Sequence, residues 1–206
     1  MPGITIVGLG PGEAADLTLR ALRALEGADL LLVRTNRHPA VGELAALLER
    51  MPPIRTCDDL YEAHADFGDV YRAIVDRVFA LAQEHNHIVY AVPGHPWVGE
   101  QTTRLILARA AETDTLVSVI GGMSFVAPSF AATGVDLMDG AQIVDAMLLA
   151  QQYAPKVEVS LPLLVAQVYA RWLASDLKLT LLALYPPEHP VTILKRAGSS
   201  NQQIML

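Results

Sequence analysis

The chain has 206 residues, 52% of them hydrophobic and 18% charged, a balance that fits a folded globular protein and excludes a disordered one. The formal charge is −7, with Lys and Arg scattered, which argues against nucleic acid; no apolar run reaches the ~18 residues a membrane span needs. The single Cys57 cannot form an internal disulfide, and no His/Cys cluster offers a metal site, so a reducing, cytoplasmic setting is expected.

The run "ITIVGL" at 4–9 is continuously apolar and β-branched, as in a strand buried on both faces. After a Gly-Pro-Gly loop, "ADLTLRALRALEGA" places Leu17, Leu19, Ala21, Leu22 and Leu25 on one helical stripe, with Gly27 as its stop. "DLLLVR" at 29–34 reads as a strand, "AVGELAALLERM" at 40–51 as a helix ending at Pro52-Pro53, and "IRTC" at 54–57 as a short strand. Tyr61, Glu62 and Asp66 belong to a flap or to a helix entry with Asp66 as N-cap. "FGDVYRAIVDRVFALAQEH" is helical, "HIVYAVPG" a strand, 100–112 a helix and "TLVSVIGG" at 115–122 a strand. This alternation predicts a parallel sheet covered by helices. From 123 onward the pattern is less regular: "QIVDAM", "VSLPLLVAQVY" and "HPVTILKRAG" are apolar runs, with helix-like "ASDLKLTLLALYP" between the last two. The fold class is α/β in two domains, a parallel-sheet N-terminal domain at 1–116 and a mixed α/β C-terminal domain at 117–206.

Three glycine loops follow strands: "GLGPGE" at 8–13, "PGHPWVGE" at 93–100 and "GGMSF" at 121–125. Loops after parallel strands gather at the carboxyl edge of the sheet, where open α/β folds bind ligands. The first is not a dinucleotide fingerprint. Its third glycine, Gly12, comes one position early, and Arg34 and Arg37 stand where an acidic ribose ligand is expected. Gly94 permits close backbone approach, and Pro93 and Pro96 stiffen the second loop into a preformed cradle. The hexapeptides "HPAVGE" at 38–43 and "HPWVGE" at 95–100 echo each other; both His-Pro turns precede a helix.

"GLGPGEAADLTLRALRAL", "VPGHPWVGE", "VIGGMSF" and "PVTILKRAG" resemble the successive motifs of the tetrapyrrole (corrin/porphyrin) methylase family, over essentially the whole chain. "RTNRHPAV", "YAVPGHP" and "LLVAQVYARWLASDLKLTLLALYPPEHPVT" are closer to the methylase-like domain that precedes a MazG-type nucleotide pyrophosphohydrolase in fusion proteins. The resemblance implies S-adenosylmethionine bound between two domains. Pro11 of the first loop, Gly94, His95 and Val98 of the second, and Ser124 and Phe125 of the third would line it, with Ala166 and Gln167 on the other side and Thr192 a weaker candidate. Most of the family has Gly-Asp-Pro where this chain has Gly94-His95-Pro96, so an expected carboxylate is an imidazole. His95 is a cofactor contact, a base or a turn residue on these grounds, and Trp97 either stacks on adenine or wedges beneath the following helix. Gln167 and Tyr169 face opposite sides if their run is a strand.

The activity this implies is S-adenosylmethionine-dependent methyl transfer to an unidentified small-molecule acceptor, with no catalytic side chain assigned. The alternative is a non-catalytic S-adenosylmethionine or nucleotide-binding domain that regulates an attached MazG-type enzyme. The apolar surplus of the second half points to a homodimer. Whether Arg34, Arg37 and Arg171 converge on an anion is open from sequence.

Overall fold

The computed structural model describes residues 3–206. They form two compact units, one of residues up to Val126 together with Arg196–Gln202, the other of Ala127–Lys195 and Gln203–Leu206. The division follows Val126 rather than residue 116. The strand β5 (Leu116–Ile120) pairs in parallel with β1 (Gly3–Gly8), and so completes the sheet of the first unit.

That sheet has five parallel strands in the order β3 (Ile54–Thr56), β2 (Leu30–Val33), β4 (His87–Val92), β1, β5. Residues of β1, β2 and β4 are buried almost throughout, which is why these strands read as unbroken apolar runs rather than alternating ones. On one face Ile4, Ile6, Ile88 and Tyr90 pack beneath Val70, Ile74, Val78 and Ile106, the apolar stripes of α4 (Phe67–Glu84) and α5 (Gln101–Thr113). On the other, Val7, Leu31, Val33, Val89 and Ala91 pack with Ala21, Leu25, Val41 and Leu44, from α1 (Leu19–Glu26) and α2 (Pro39–Leu47). α3 (Asp58–Ala63) precedes α4, whose N-cap Asp66 accepts from the amides of Gly68 (2.8 Å) and Asp69 (3.3 Å). The helix-entry reading of Asp66 is therefore the observed one.

Two helices are shorter than their sequence stripes. Residues 14–16 form a 3-10 turn, and Thr18 caps α1 by accepting from the Ala21 amide at 3.1 Å. Leu19, placed on the core stripe from sequence, lies in the first turn of α1 and is 73% exposed. α2 stops at Leu47, before Pro52-Pro53.

The second unit holds α6 (Val126–Thr133, which begins on the last residue of the first unit), a parallel pair β6 (Gln142–Asp145) and β7 (Leu163–Ala166), α7 (Ala146–Ala150), α8 (Arg171–Leu181) and an antiparallel pair β8 (Ile193–Lys195) and β9 (Gln203–Met205). Its core gathers Ala146, Leu149, Leu173 and Leu177. Among the described residues, no helix is long and apolar enough to cross a membrane.

Candidate ligand site at the carboxyl edge of the sheet

The three glycine loops leave the adjacent strands β1, β4 and β5, and they touch. Gly10 and Gly94 form an isolated antiparallel bridge, Gly94 N donating to Gly10 O at 2.7 Å and Gly10 N to Gly94 O at 3.2 Å. A Cβ on Gly8 would lie 2.4 Å from the Gly94 carbonyl oxygen and 2.6 Å from the Gly122 nitrogen; one on Gly122 would lie 2.5 Å from Gly94 O and 2.6 Å from Gly8. No side chain fits at Gly8 or Gly122, so glycine there is a condition for the three loops to meet. Gly94 itself is different. At φ 67° its missing Cβ faces open space, so the backbone at this point is accessible to a ligand.

The second loop is fixed internally. Val98 N donates to His95 O at 2.9 Å, and Trp97 N donates to His95 Nδ1 at 3.1 Å. An amide can only donate, so Nδ1 is the unprotonated nitrogen and the neutral ring carries its proton on Nε2. The Nε2 edge lies 2.7 Å from where a Gly121 Cβ would be, so His95 sits across the second and third loops. An aspartate here could make the same turn through one carboxylate oxygen, but would present a second acceptor where His95 presents an N–H donor. Trp97 is 56% exposed and does not wedge beneath α5.

Pro11 is half-buried in the first loop, and Val98 half-buried in the second. Ser124 Oγ accepts from Val126 N at 3.2 Å at the start of α6, with half-buried Phe125 beside it. These residues, with Gly94 and His95, all belong to the first unit. Ala166 and Gln167 belong to the second, Ala166 ending β7. Gln167 has a left-handed φ of 65°, and Tyr169 N donates to its carbonyl at 3.0 Å. The run from 163 thus turns at Gln167, and the strand alternation expected for Gln167 and Tyr169 does not hold. A non-glycine residue in this region is strained by about 1–3 kcal/mol, and such strain clusters at ligand sites. Thr192 is exposed just before β8.

Two further features lie beside the loops. Arg34, immediately after β2, donates through Nε to the Tyr61 hydroxyl at 2.7 Å and pairs with Glu100, whose side chain is 2% exposed. Glu100 caps α5, accepting from Thr102 N at 3.0 Å and Thr102 Oγ1 at 2.5 Å, and Tyr90 joins through Thr102 at 3.0 Å. Burial is the largest single influence on Arg34 and opposes its charge, but Glu100, Tyr90 and Tyr61 together outweigh it and hold the guanidinium ionised. Burial likewise raises the Tyr61 phenol. Arg34 is thus committed to an internal pair. The second feature is His38, buried under the first loop, with Nε2 3.0 Å from Gly10 O; burial depresses its pKa below the usual 6.5, against the opposing pull of Gly10 O and Asp16. The two His-Pro turns are built differently. His38 is itself the N-cap of α2, with Pro39 following, whereas five residues separate His95 from α5.

The family model of the tetrapyrrole (corrin/porphyrin) methylases matches residues 3–206. The chain belongs to this family. Members of the tetrapyrrole methylase family bind S-adenosylmethionine. Over 201 residues the chain is 40% identical to the uncharacterized protein YabN of Bacillus subtilis, covering 98% of this chain and 40% of YabN. It is 27% identical over 143 residues to the diphthine synthase of Methanopyrus kandleri, covering 66% of this chain and 49% of that one. It therefore spans less than half the length of the curated relatives it matches. Among solved structures it is similar to the uroporphyrin-III C-methyltransferase of Thermus thermophilus, with a TM-score of 0.67 at 25% identity over 98% of this chain and 81% of that one. A structure of the Thermus enzyme complexed with S-adenosylhomocysteine shares the fold, with a TM-score of 0.63 at 20% identity over 98% and 81% of the two chains. The chain has the tetrapyrrole methylase fold.

Proposed function

We propose that this protein binds S-adenosylmethionine at the carboxyl edge of the five-stranded sheet and transfers its methyl group to a small-molecule acceptor. The observation that carries this reading is the meeting of Gly8, Gly94 and Gly122, which leaves backbone and open space at Gly94 where side chains would otherwise stand. Pro11, Gly94, His95, Val98, Ser124 and Phe125 would hold the cofactor in the first unit; the assignment of Ala166 and Gln167 rests on the family resemblance.

When bound, the cofactor supplies an activated methyl on a sulfonium, so the protein needs neither a metal nor a covalent intermediate for the transfer. What the chain contributes is placement, which can lower a barrier by roughly 7–11 kcal/mol. The bridge between Gly10 and Gly94 and the His95 turn keep the loops in one arrangement, so little ordering is left to binding. His95, whose Nδ1 accepts from Trp97 N, offers Nε2–H as a hydrogen-bond donor. The acceptor's chemistry is not selected by Arg34, which Glu100 occupies.

The part played by His95 is testable with two variants. His95→Asn keeps an acceptor for the Trp97 amide and is expected to bind S-adenosylhomocysteine within about threefold of wild type. His95→Ala, lacking that turn bond, is expected to lose about tenfold, the equivalent of one net hydrogen bond of about 1.4 kcal/mol. Equal affinity in all three proteins would show that the loop is not held by this contact.

A second reading is favoured by one observation, that the chain spans only 40% of YabN. In it, the domain binds S-adenosylmethionine without turnover and regulates an attached catalytic domain of the MazG type. Formation of S-adenosylhomocysteine with any acceptor separates the two. We also propose that the exposed apolar side chains of α8, Trp172 and Leu179 among them, are covered in a homodimer.

A further inference from the structure

His38 is nine-tenths buried, yet it makes no capping bond to α2, although it occupies the N-cap position. The one hydrogen bond of its ring among the described residues is Nε2 to Gly10 O at 3.0 Å; Nδ1 is buried without a partner. A carbonyl only accepts, so the ring holds its proton on Nε2 and donates it. The same Gly10 oxygen accepts from Gly94 N at 2.7 Å. The Gly10 peptide precedes Pro11, which has no N–H, so this carbonyl is the only hydrogen-bonding group of that peptide, and two donors fill its two lone pairs. On the far side, the Asp16 Cβ lies 2.8 Å from where a Gly10 Cβ would stand. Gly10 is thus gripped from three sides, by the loops after β2 and β4 and by the 3-10 turn at 14–16.

We propose that His38 is a positioning residue of the ligand site: its Nε2–H fixes the Gly10 carbonyl and thereby the bridge that joins the first and second glycine loops. The ligand part of this inference rests on the function proposed above; the loop-fixing part does not. A residue present only to start α2 would be improved by asparagine, a preferred N-cap, whereas one needed for its distal donor would not. Asparagine places its amide near the position of Nδ1, and glutamine near that of Nε2.

The test compares His38→Gln and His38→Asn in the full chain by amide hydrogen exchange at Gly94, by unfolding in urea, and by titration with S-adenosylhomocysteine. The expected result is that exchange at Gly94 accelerates about tenfold in His38→Asn and stays near wild type in His38→Gln, while the Asn variant unfolds at a urea concentration no lower than wild type. Ligand affinity should fall about tenfold in the Asn variant and be restored in the Gln variant. Unchanged Gly94 protection in His38→Asn, or equal loss in both variants, overturns the proposal. Donor-dependent Gly94 protection in a wild-type protein that binds no S-adenosylhomocysteine would uphold the loop-fixing role and overturn the ligand reading alone.

Discussion

Glu100→Ala is expected to lose about 3 kcal/mol of unfolding free energy in urea, because it strands a buried guanidinium. The Arg34 side chain is 17% exposed and that of Glu100 2%, so removing the carboxylate leaves a charge that water reaches poorly. Breaking such a pair from one side costs about 3–5 kcal/mol, and the residual exposure of Arg34 sets the expectation at the lower end. The change also removes the acceptor for Thr102 N at the start of α5, which adds a capping loss to the charge effect. Replacing both partners, as in Arg34→Met with Glu100→Leu, is expected to cost only about 1–2 kcal/mol, since no charge is left unpaired and the losses are the α5 cap and the neutral bonds of the Tyr61 and Thr102 hydroxyls. A single substitution that costs less than the double one would mean that the pair is solvated and carries no positional role.

Gly122→Ala is expected to weaken S-adenosylhomocysteine binding more than a hundredfold. Its Cβ would stand 2.5 Å from Gly94 O and 2.6 Å from the Gly8 carbonyl, and neither is the movable tip of a side chain. Relief requires the third loop to separate from the first two, at about 1–3 kcal/mol of strain, which dismantles the cradle while β1, β4 and β5 keep their ladders. Gly42→Ala is the control. Nothing lies within 4 Å of its added methyl, and alanine in the interior of α2 is expected to stabilise by about 0.5–1 kcal/mol with binding unchanged. Tight binding by the Gly122→Ala protein would remove the loop junction from the site.

Much of the first unit was legible because its strands β1, β2 and β4 are buried on both faces. "ITIVGL", "LLLV" and "HIVYAV" carry no polar residue that could suggest a surface strand except Thr5, His87 and Tyr90, and each of these is satisfied: Thr5 bonds His87 Nε2 and Ser118 Oγ at 2.9 Å, and Tyr90 bonds Thr102 at 3.0 Å. The start of α1 was harder. "ADLTL" offers two capping residues, and the periodicity of Leu17 and Leu19 favours the earlier one, whereas the chain uses Thr18 after a 3-10 turn. The extent of α6 was not legible, since "VAPSFAAT" contains a proline and no clear stripe, yet Pro128 falls in the first turn, where an amide has no helical partner to lose.

For the site, the glycine loops could be read from their places after strands, but not their contact, which depends on the order β4-β1-β5. The same holds for Arg34 and Glu100, which are 66 positions apart and meet because β2 lies beside β4. One signal was present. The echoed "HPAVGE" and "HPWVGE" contain, in one copy, the His38 that holds Gly10 and, in the other, both the His95 turn and the Glu100 cap. Gln167 gave no sign of its left-handed backbone, since glutamine is not a residue that favours it.

The central claim is that the junction of glycine loops is an S-adenosylmethionine site. Calorimetric titration of the purified chain with S-adenosylhomocysteine tests it most directly. Micromolar, one-to-one binding is predicted. The absence of heat, together with an unfolding temperature that the ligand does not raise, would contradict the claim and leave the protein with the family's fold but without its cofactor.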